Sequence, residues 1–395
     1  MMQSPVQSES FDYIIAGAGC AGLSLLLRIL QEPTLRNKTI LVIDNDDKTA
    51  NDRTWCFWEK KEGFFENLVY HRWHQLLFQA GKASISLSIQ PYAYKMIRSI
   101  DLYSYTQNML QKRSKIKWLK AEVQALGNEN NRAYAQADNI KYTAQYVFNS
   151  ILFDEDKKAL EQDNCYKLLQ HFKGWVIETD QPAFNPGVAS FMDFRVAQDQ
   201  GTAFVYVLPT SPTRALVEYT FFNKQLLPKE DYDILLKNYL QQFLNLSNYT
   251  IVETEYGIIP MTNHQFKAND GNIINIGTAG GWTKASSGFT FQFIQKNAKA
   301  ILAKLLKNEV PVLQKSFFQK RFYLYDATLL NILHNNTMPG RDIFHQLFSK
   351  VKVQALFRFL DNESSLKDEI QILNSVPSKV FLPAAKDELF AMLNK

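Results

Sequence analysis

Residues 11–44 read FDYIIAGAGCAGLSLLLRILQEPTLRNKTILVID. FDYIIA is an apolar run of strand length, GAGCAG is a glycine turn, and LSLLLRIL is a helix broken by Glu32, Pro33 and Asn37. TILVI is a second buried strand, ending at Asp44. Strand, turn, helix and strand in roughly 33 residues make the βαβ unit of a dinucleotide-binding fold. Gly17, Gly19 and Gly22 form GxGxxG. In such a turn the first glycine permits the tight bend, the second lets the backbone approach a pyrophosphate, and the third lets helix and strand pack closely. The helix N-terminus then faces the phosphates. Asp44 follows Gly22 at about the spacing of a carboxylate that binds ribose hydroxyls. A chance glycine turn would not bring all these context elements with it, so nucleotide binding is the favoured reading. FAD and NAD both use the motif, so it does not choose between them.

A second glycine cluster, Gly277, Gly280, Gly281 and Gly288, lies in INIGTAGGWTKASSGFTF. A strand ending at Ile276 and a helix expected from Ser286 or Ser287 would again aim backbone N–H groups and a helix dipole at a ligand. Many FAD enzymes complete the flavin site with a second glycine-rich segment far down the chain, which places FAD above NAD. A structural loop capped by serines is the plainer reading. Glu218 stands mid-strand in ALVEYTFF, sharing a face with Leu216 and Thr220. A carboxyl among apolar groups stays protonated to higher pH and suits a general acid. A solvent-facing glutamate fits the strand pattern equally well. Asp193 in SFMDFRV is a second mid-strand carboxylate, on the face of Phe191 and Arg195 by period two, read either as catalytic or as a partner of Arg195. Arg53 in DRTWCFWE reads as a phosphate contact or as a partner of Asp52.

The 395 residues are 46% hydrophobic, with a net charge of +5. This is ample for a large core split into subdomains, and it is neither disordered nor fibrous in composition. Dense basic clustering with a nucleic-acid motif is missing, so a nucleic-acid partner is not expected. Cys20, Cys56 and Cys165 contain no CxxC pair, which argues for a reducing cytoplasm rather than a disulfide framework. The six histidines show no HExxH or similar spacing, and no metal is expected. MMQSPVQSES does not read as a signal peptide, and the run Ile14–Leu27 is too short and glycine-rich to cross a bilayer.

Further along, Asp101 reads as the cap of a helix through LYSYTQNMLQKR, and 116–150 reads as a strand meander. Four strand-like runs between 171 and 222, HFKGWVIET, VASFMDFRV, AFVYVLP and RALVEYTFF, read as an antiparallel sheet. A helix is expected over 230–245, a strand at TEYGIIPM, and mostly helix from 290. The expected class is α/β (α+β). It combines a discontinuous FAD-binding domain of Rossmann type (1–80 and 255–310), an antiparallel-sheet substrate domain (81–254, part of 81–150 packing with the first) and a helical C-terminal region (311–395).

DYIIAGAGCAGLSLL, DRTWCFWE, LQHFKGWVIET, FMDFRV, FVYVLPTSPTRALVEYT, YGIIPM, GTAGGWTKASSGFTF and MPGRDIFHQLF together give the chain its resemblance to the bacterial lycopene β-cyclases, flavoproteins of carotenoid biosynthesis. DRTWCFW and GTAGGWTKASSGFTF are the specific part. The resemblance implies an intramolecular lyase (isomerase) that closes the ends of lycopene into β-ionone rings. Its bound FAD is needed reduced, with NADPH as electron source, and there is no net redox. Glu218 in LVEYT occupies the place of the family's essential carboxylate, but Tyr219 follows where plant relatives carry a second Glu. Thr278 stands where related flavin hydroxylases have Asp, so a backbone-only contact to FAD is expected there. The alternatives are an FAD/NADPH-dependent hydroxylase or prenyl reductase acting on an isoprenoid lipid, and a non-catalytic lipid chaperone.

An insoluble substrate implies a peripheral membrane protein. Lys296, Lys299, Lys304 and Lys307 fall in one arc of a helix over 293–307, opposite Ile294, Ile301, Leu302, Leu305 and Leu306. That is a basic amphipathic helix suited to an anionic surface, or a packed helix with a solvated face. Residues 296–321 carry seven Lys or Arg against one Glu, so the basicity is local. The aromatic stretch IFHQLFSKVKVQALFRFL is an alternative membrane-facing portal.

Overall fold

The computed structural model describes residues 8–111, 113–160, 165–314 and 319–394. The opening decapeptide through Gln7 and Lys315 of the basic region lie outside the described residues. In chain order the elements are β1 (Ser8–Ala16), α1 (Cys20–Gln31), β2 (Ile40–Asp44), β3 (Thr54–Glu59), β4 (His71–Trp73), β5 (Gln75–Ala80), β6 (Ala83–Ser88), β7 (Ala93–Arg98) and α2 (Ser99–Leu110). Next come β8 (Ile116–Lys120), β9 (Val123–Glu129), β10 (Arg132–Ala137), β11 (Ile140–Asn149), α3 (Asp154–Leu160), β12 (Leu168–Glu178), β13 (Val188–Asp193), β14 (Thr202–Ser211) and β15 (Arg214–Asn223). The chain ends with α4 (Lys229–Phe243), β16 (Thr250–Met261), β17 (Asn269–Asp270), β18 (Ile273–Asn275), α5 (Phe291–Leu306), α6 (Lys320–His334), α7 (Gly340–Lys350), α8 (Val353–Leu360), α9 (Leu366–Ser375) and α10 (Ser378–Leu393).

The first sheet runs β17–β18–β11–β1–β2–β8 and carries β10 and β9 as a flap on β11. From β18 to β8 its neighbours are parallel, the signature of the doubly wound dinucleotide fold. The 116–150 region is thus only partly a meander: β9, β10 and β11 are, but β8 runs parallel to β2. α1 is buried along nearly its whole length, because it is sandwiched between the sheet and α5. Each fully buried leucine there contributes about 1.5–3 kcal/mol.

The second sheet runs β16–β12–β15–β14–β13–β5–β6 and is antiparallel except where β5 joins β13. One face packs on α4 through Val217, Tyr219 and Phe221. The other packs on the small third sheet β3–β7–β4 and on α6 to α8. Phe344, Phe348 and Phe357 are buried in that second cluster, so IFHQLFSKVKVQALFRFL forms core rather than a portal. α5 carries the lysines of the expected basic helix, but its apolar face, including Ile294, Ile301 and Leu305, is spent against α1. Two boundaries differ from expectation. α2 begins at Ser99, with Asp101 inside its first turn and paired to Arg98. The segment after Gly288 stays a loop until α5 starts at Phe291, because Ser286 and Lys284 are drawn to Asp326 of α6 at 2.6 Å each. Among the described residues no helix is long and apolar enough to cross a membrane.

Candidate active site

The first glycine segment leaves β1 with Gly17 at φ +94°, a left-handed bend that disfavours any side chain. A Cβ on Gly22 would strike the Gly17 carbonyl, so this position sets how close α1 lies to the turn. In front of Gly19 there is open space. No side chain caps α1 and no acid stands in its first turn, so the positive end of the helix is left for an anion. Asp44, at the end of β2, ties the turn together: its carboxylate accepts from the Ala18 N–H at 2.6 Å and pairs with Lys48 at 3.1 Å.

The second segment joins it. A Cβ on Gly277 would lie 2.8 Å from that of Ala21, which places the loop against the first turn of α1. Gly280 packs on the Asn275 carbonyl, and Gly281 holds a positive φ beside Phe266. Gly288 comes against the side chain of Gln170 on β12, linking the loop to the second sheet. Gln170 Oε1 and Ser287 Oγ are buried and have no hydrogen-bond partner in the protein. Open space at Gly19, an uncapped helix start and orphaned buried polar atoms on the facing segment suit a dinucleotide.

The second sheet builds a pair of carboxyls. Glu218 of β15 and Glu255 of β16 sit on either side of β12, both in register with Gly174. A Cβ on Gly174 would come within 3.0 Å of Glu255 Cγ and of Leu216 Cδ1, so the bare glycine is what lets Glu255 lean across. The two carboxyls are hydrogen-bonded to each other. The Thr220 hydroxyl donates to Glu218 Oε1 at 3.0 Å, and Thr54 of β3 bonds Glu255. Burial, then the charge of Glu255, pushes the Glu218 carboxyl well above its ordinary range. Glu255 is also raised by burial, but its hydrogen bonds from Glu218 and Thr54 and the Arg53 charge pull it back. Two unit charges 4 Å apart at an effective dielectric near 20 repel by about 4 kcal/mol. Burial and like charge together therefore favour a proton on Glu218, hydrogen-bonded to Glu255. Glu255 was not singled out in the sequence. Its position in TEYGIIPM was readable as strand, and the mid-strand glycine of HFKGWVIET was the available signal that a large neighbour crosses there.

Around the pair stand Cys56, Tyr94 and Tyr206, all raised well above their ordinary ionisation by burial. An aromatic wall continues from them. Tyr94 meets Phe191 edge-on at 5.4 Å, Phe191 parallels Phe289 at 6.3 Å, and Phe289 meets Trp58 at 4.7 Å. The wall thus runs from the second glycine loop to the acid pair. A narrow crevice with room for about one water lies between Cys56, Trp58, Phe289 and Asp361. A larger cleft, lined by Asp199, Thr202, Asn223, Asp231 and Gly340, lies at the far end of the second sheet and contains neither glycine segment nor either glutamate.

Asp193 is elsewhere. The ladder of β13 slips between Ser190 and Asp193, and this irregularity turns the aspartate away from the face of Phe191. The expectation that both share a face is therefore corrected. Asp193 is fully buried on the α4 side, bonded to Arg195 at 2.6 Å and to the Tyr239 hydroxyl at 2.7 Å. Arg53 donates to the backbone carbonyls of Asp52 and Tyr256 and stands 3.9 Å from the Asp52 carboxylate, beside Glu255. Among the described residues no group of three or more His, Cys, Asp or Glu side chains is placed to hold a metal.

The family model described as lycopene cyclase protein matches residues 12–386. A lycopene beta-cyclase of Pantoea ananas is 26% identical over 264 residues, which cover 64% of this chain and 63% of that one. The match thus spans less than two thirds of that relative's length. Two solved structures share the fold. A geranylgeranyl bacteriochlorophyll reductase-like protein of Thermoplasma acidophilum has a TM-score of 0.66 at 11% identity, covering 98% of this chain and 100% of that one. A flavoprotein/dehydrogenase of Cytophaga hutchinsonii has a TM-score of 0.62 at 10% identity, covering 97% and 100%.

Proposed function

The chain belongs to the lycopene cyclase family, and from that premise we propose that it isomerises lycopene or a related acyclic carotenoid to β-ionone-ended products, with Glu218 as the acid and Glu255 as its paired base. The observation that carries this reading is two carboxyls on neighbouring strands, hydrogen-bonded to each other beside an aromatic wall. An acid strong enough to protonate an isolated alkene must be desolvated and unable to relax into water. Glu218, partly exposed, stands beside Cys56, Tyr94 and Tyr206, and both its burial in the sheet and the neighbouring Glu255 favour its protonated form.

The reaction balances without electrons. Glu218 gives its proton to the terminal trisubstituted alkene, leaving a tertiary carbocation. The neighbouring double bond closes the six-membered ring. A ring proton is then lost to the now doubly ionised pair, which restores its starting charge. Tyr94, Tyr206, Phe191 and Trp58 present π faces and exclude water from the cation. The cradle at Gly17, Gly19, Gly22 and Asp44, with Gly277, Gly280 and Gly281 opposite, is assigned to FAD. The Arg53 charge also lowers the Glu255 carboxyl, which supports a role for it in tuning the pair. When bound and reduced by NADPH, the flavin supplies negative charge that favours a cationic transition state.

The test supplies the purified chain with FAD, NADPH and lycopene in micelles under anaerobic conditions. γ-Carotene or β-carotene is expected, with far less NADPH oxidised than product formed. A hydrogenated or hydroxylated product with stoichiometric NADPH use would make the protein a redox enzyme instead, and unchanged lycopene would sink both readings.

A further inference from the structure

The last two helices invert the usual amphipathic rule. On α9 the acids point inward: Asp368 is bonded to Arg358 at 2.6 Å, and Glu369 to Arg321 and Tyr325 at 3.0 Å each. On α10 Glu388 is buried, accepting from Tyr166 and from Asn331. The aliphatic residues point outward instead. Leu366, Ile370 and Leu373 are spaced i, i+4, i+7 along α9, and Leu366 is 71% exposed. Leu382, Leu389, Phe390 and Leu393 do the same on α10, with Leu393 73% exposed. Val376 and Pro377 alone separate the two helices, and both helices lean on α6. An apolar face of this extent signals an interaction surface.

We propose that the outer face of α9 and α10 docks on an anionic lipid bilayer. The charges select that occupant. With its acids turned in, the face exposes Lys367, Lys379 and Lys386 around the leucines, against the single exposed acid Asp387 among its described residues. Lysines at headgroup level with leucine and phenylalanine beneath them are the pattern of a helix lying in a membrane interface. Lys386 already lies 5.7 Å over the Phe390 ring. The inner side of α10 completes the argument: Val380 and Phe381 pack against the cluster that contains Trp58 and Phe191. The docking face is therefore one helix away from the aromatic wall. The choice of a bilayer rests on the reading that the substrate is a carotenoid dissolved there.

Flotation of the full chain with phosphatidylcholine vesicles, with and without phosphatidylglycerol, tests this. The parent protein should float, and more strongly on the anionic vesicles. The triple variant Leu382→Gln/Leu389→Gln/Phe390→Gln should lose at least tenfold in partitioning on both compositions, with its melting temperature kept because these side chains face outward. Leu366→Gln/Ile370→Gln on α9 provides a second, independent apolar variant. Lys367→Gln/Lys379→Gln/Lys386→Gln should remove the preference for anionic vesicles. A parent that floats with neither vesicle, or apolar variants that float as it does, would overturn the proposal. So would a variant that only converts a dimer to a monomer, since the face would then join two copies. Lycopene conversion in micelles is read in parallel. Failure there with flotation intact removes the carotenoid reading and leaves the membrane surface standing.

Discussion

Asp193 and the Glu218–Glu255 pair lie on opposite faces of one sheet; Asp193 and Glu255 are buried, and Glu218 keeps part of its surface exposed. Their partners make them different groups. Asp193 meets a guanidinium and a hydroxyl, so its negative charge is matched, and Arg195 is held above its ordinary value in return. Glu218 meets another carboxyl, so burial and like charge act together to keep a proton. A buried acid on a sheet is thus a strut or a proton donor according to what faces it.

The sharpest way to break this contrast is Glu218→Gln. The variant keeps the shape and removes the transferable proton. Cyclisation should fall by at least about 10³-fold, within the range that general acids contribute, while the flavin stays bound. Chromatography of pigments from lycopene-producing cells reads the first outcome, and the absorption spectrum of the purified variant reads the second. Parent-level conversion would remove Glu218 from the chemistry.

Glu255→Gln should act more gently and more informatively. Without the neighbouring negative charge, Glu218 loses one of the two causes of its raised pKa, and an amide N–H can stabilise its ionised form. Turnover should fall by about 10- to 100-fold, as expected when a general acid is weakened rather than removed. The alkaline limb of its pH–rate profile should move to lower pH. An unmoved limb would mean that Glu255 is only a scaffold.

The strut should answer differently. Asp193→Asn leaves Arg195 and Tyr239 without their anion and is expected to cost about 2 kcal/mol of stability, below the full value for a buried pair because the arginine is partly exposed. Thermal melts would read that loss, and the pH–rate profile of the surviving protein should match the parent's. A shifted profile would return Asp193 to the active site.

How much of this was legible depends on whether the residues are joined along the chain or across it. GAGCAG is contiguous, and its strand, turn and helix context was readable as a cradle from Tyr13 to Asp44. Glu218 was visible from alternation along one strand. Glu255 stands on another strand, beyond β12, and only a strand order with β12 in the middle makes the two glutamates neighbours. At Tyr219, where the resemblance to plant relatives would place a second Glu, no carboxyl stands, and the carboxyl beside Glu218 comes from β16. Period two along the chain predicts the wrong face for Asp193, because it holds only in an unbroken ladder and β13 slips. The apolar outer faces of α9 and α10 were hidden for a related reason: which stripe of a helix points inward is decided by Arg358, Arg321 and Asn331 on distant segments.

The smallest effect separates the two kinds of buried acid through stability alone. Below about pH 4.5, the ordinary value for a glutamate, Glu218 is protonated both folded and unfolded. Above it the unfolded chain releases the proton while the folded one retains it, so the contribution of Glu218 to stability declines as pH rises, until the folded carboxyl itself titrates. The slope from one such group is at most about 1.4 kcal/mol per pH unit. Glu218→Gln cannot release a proton, so its melting temperature relative to the parent should climb steadily from pH 5 upward. Taking the difference between the two melting curves cancels the groups that do not touch Glu218, leaving the pair with Glu255. Parallel curves would mean that Glu218 is already ionised in the folded protein, as a carboxylate matched by a cation would be, and the acid pair would then be a second strut.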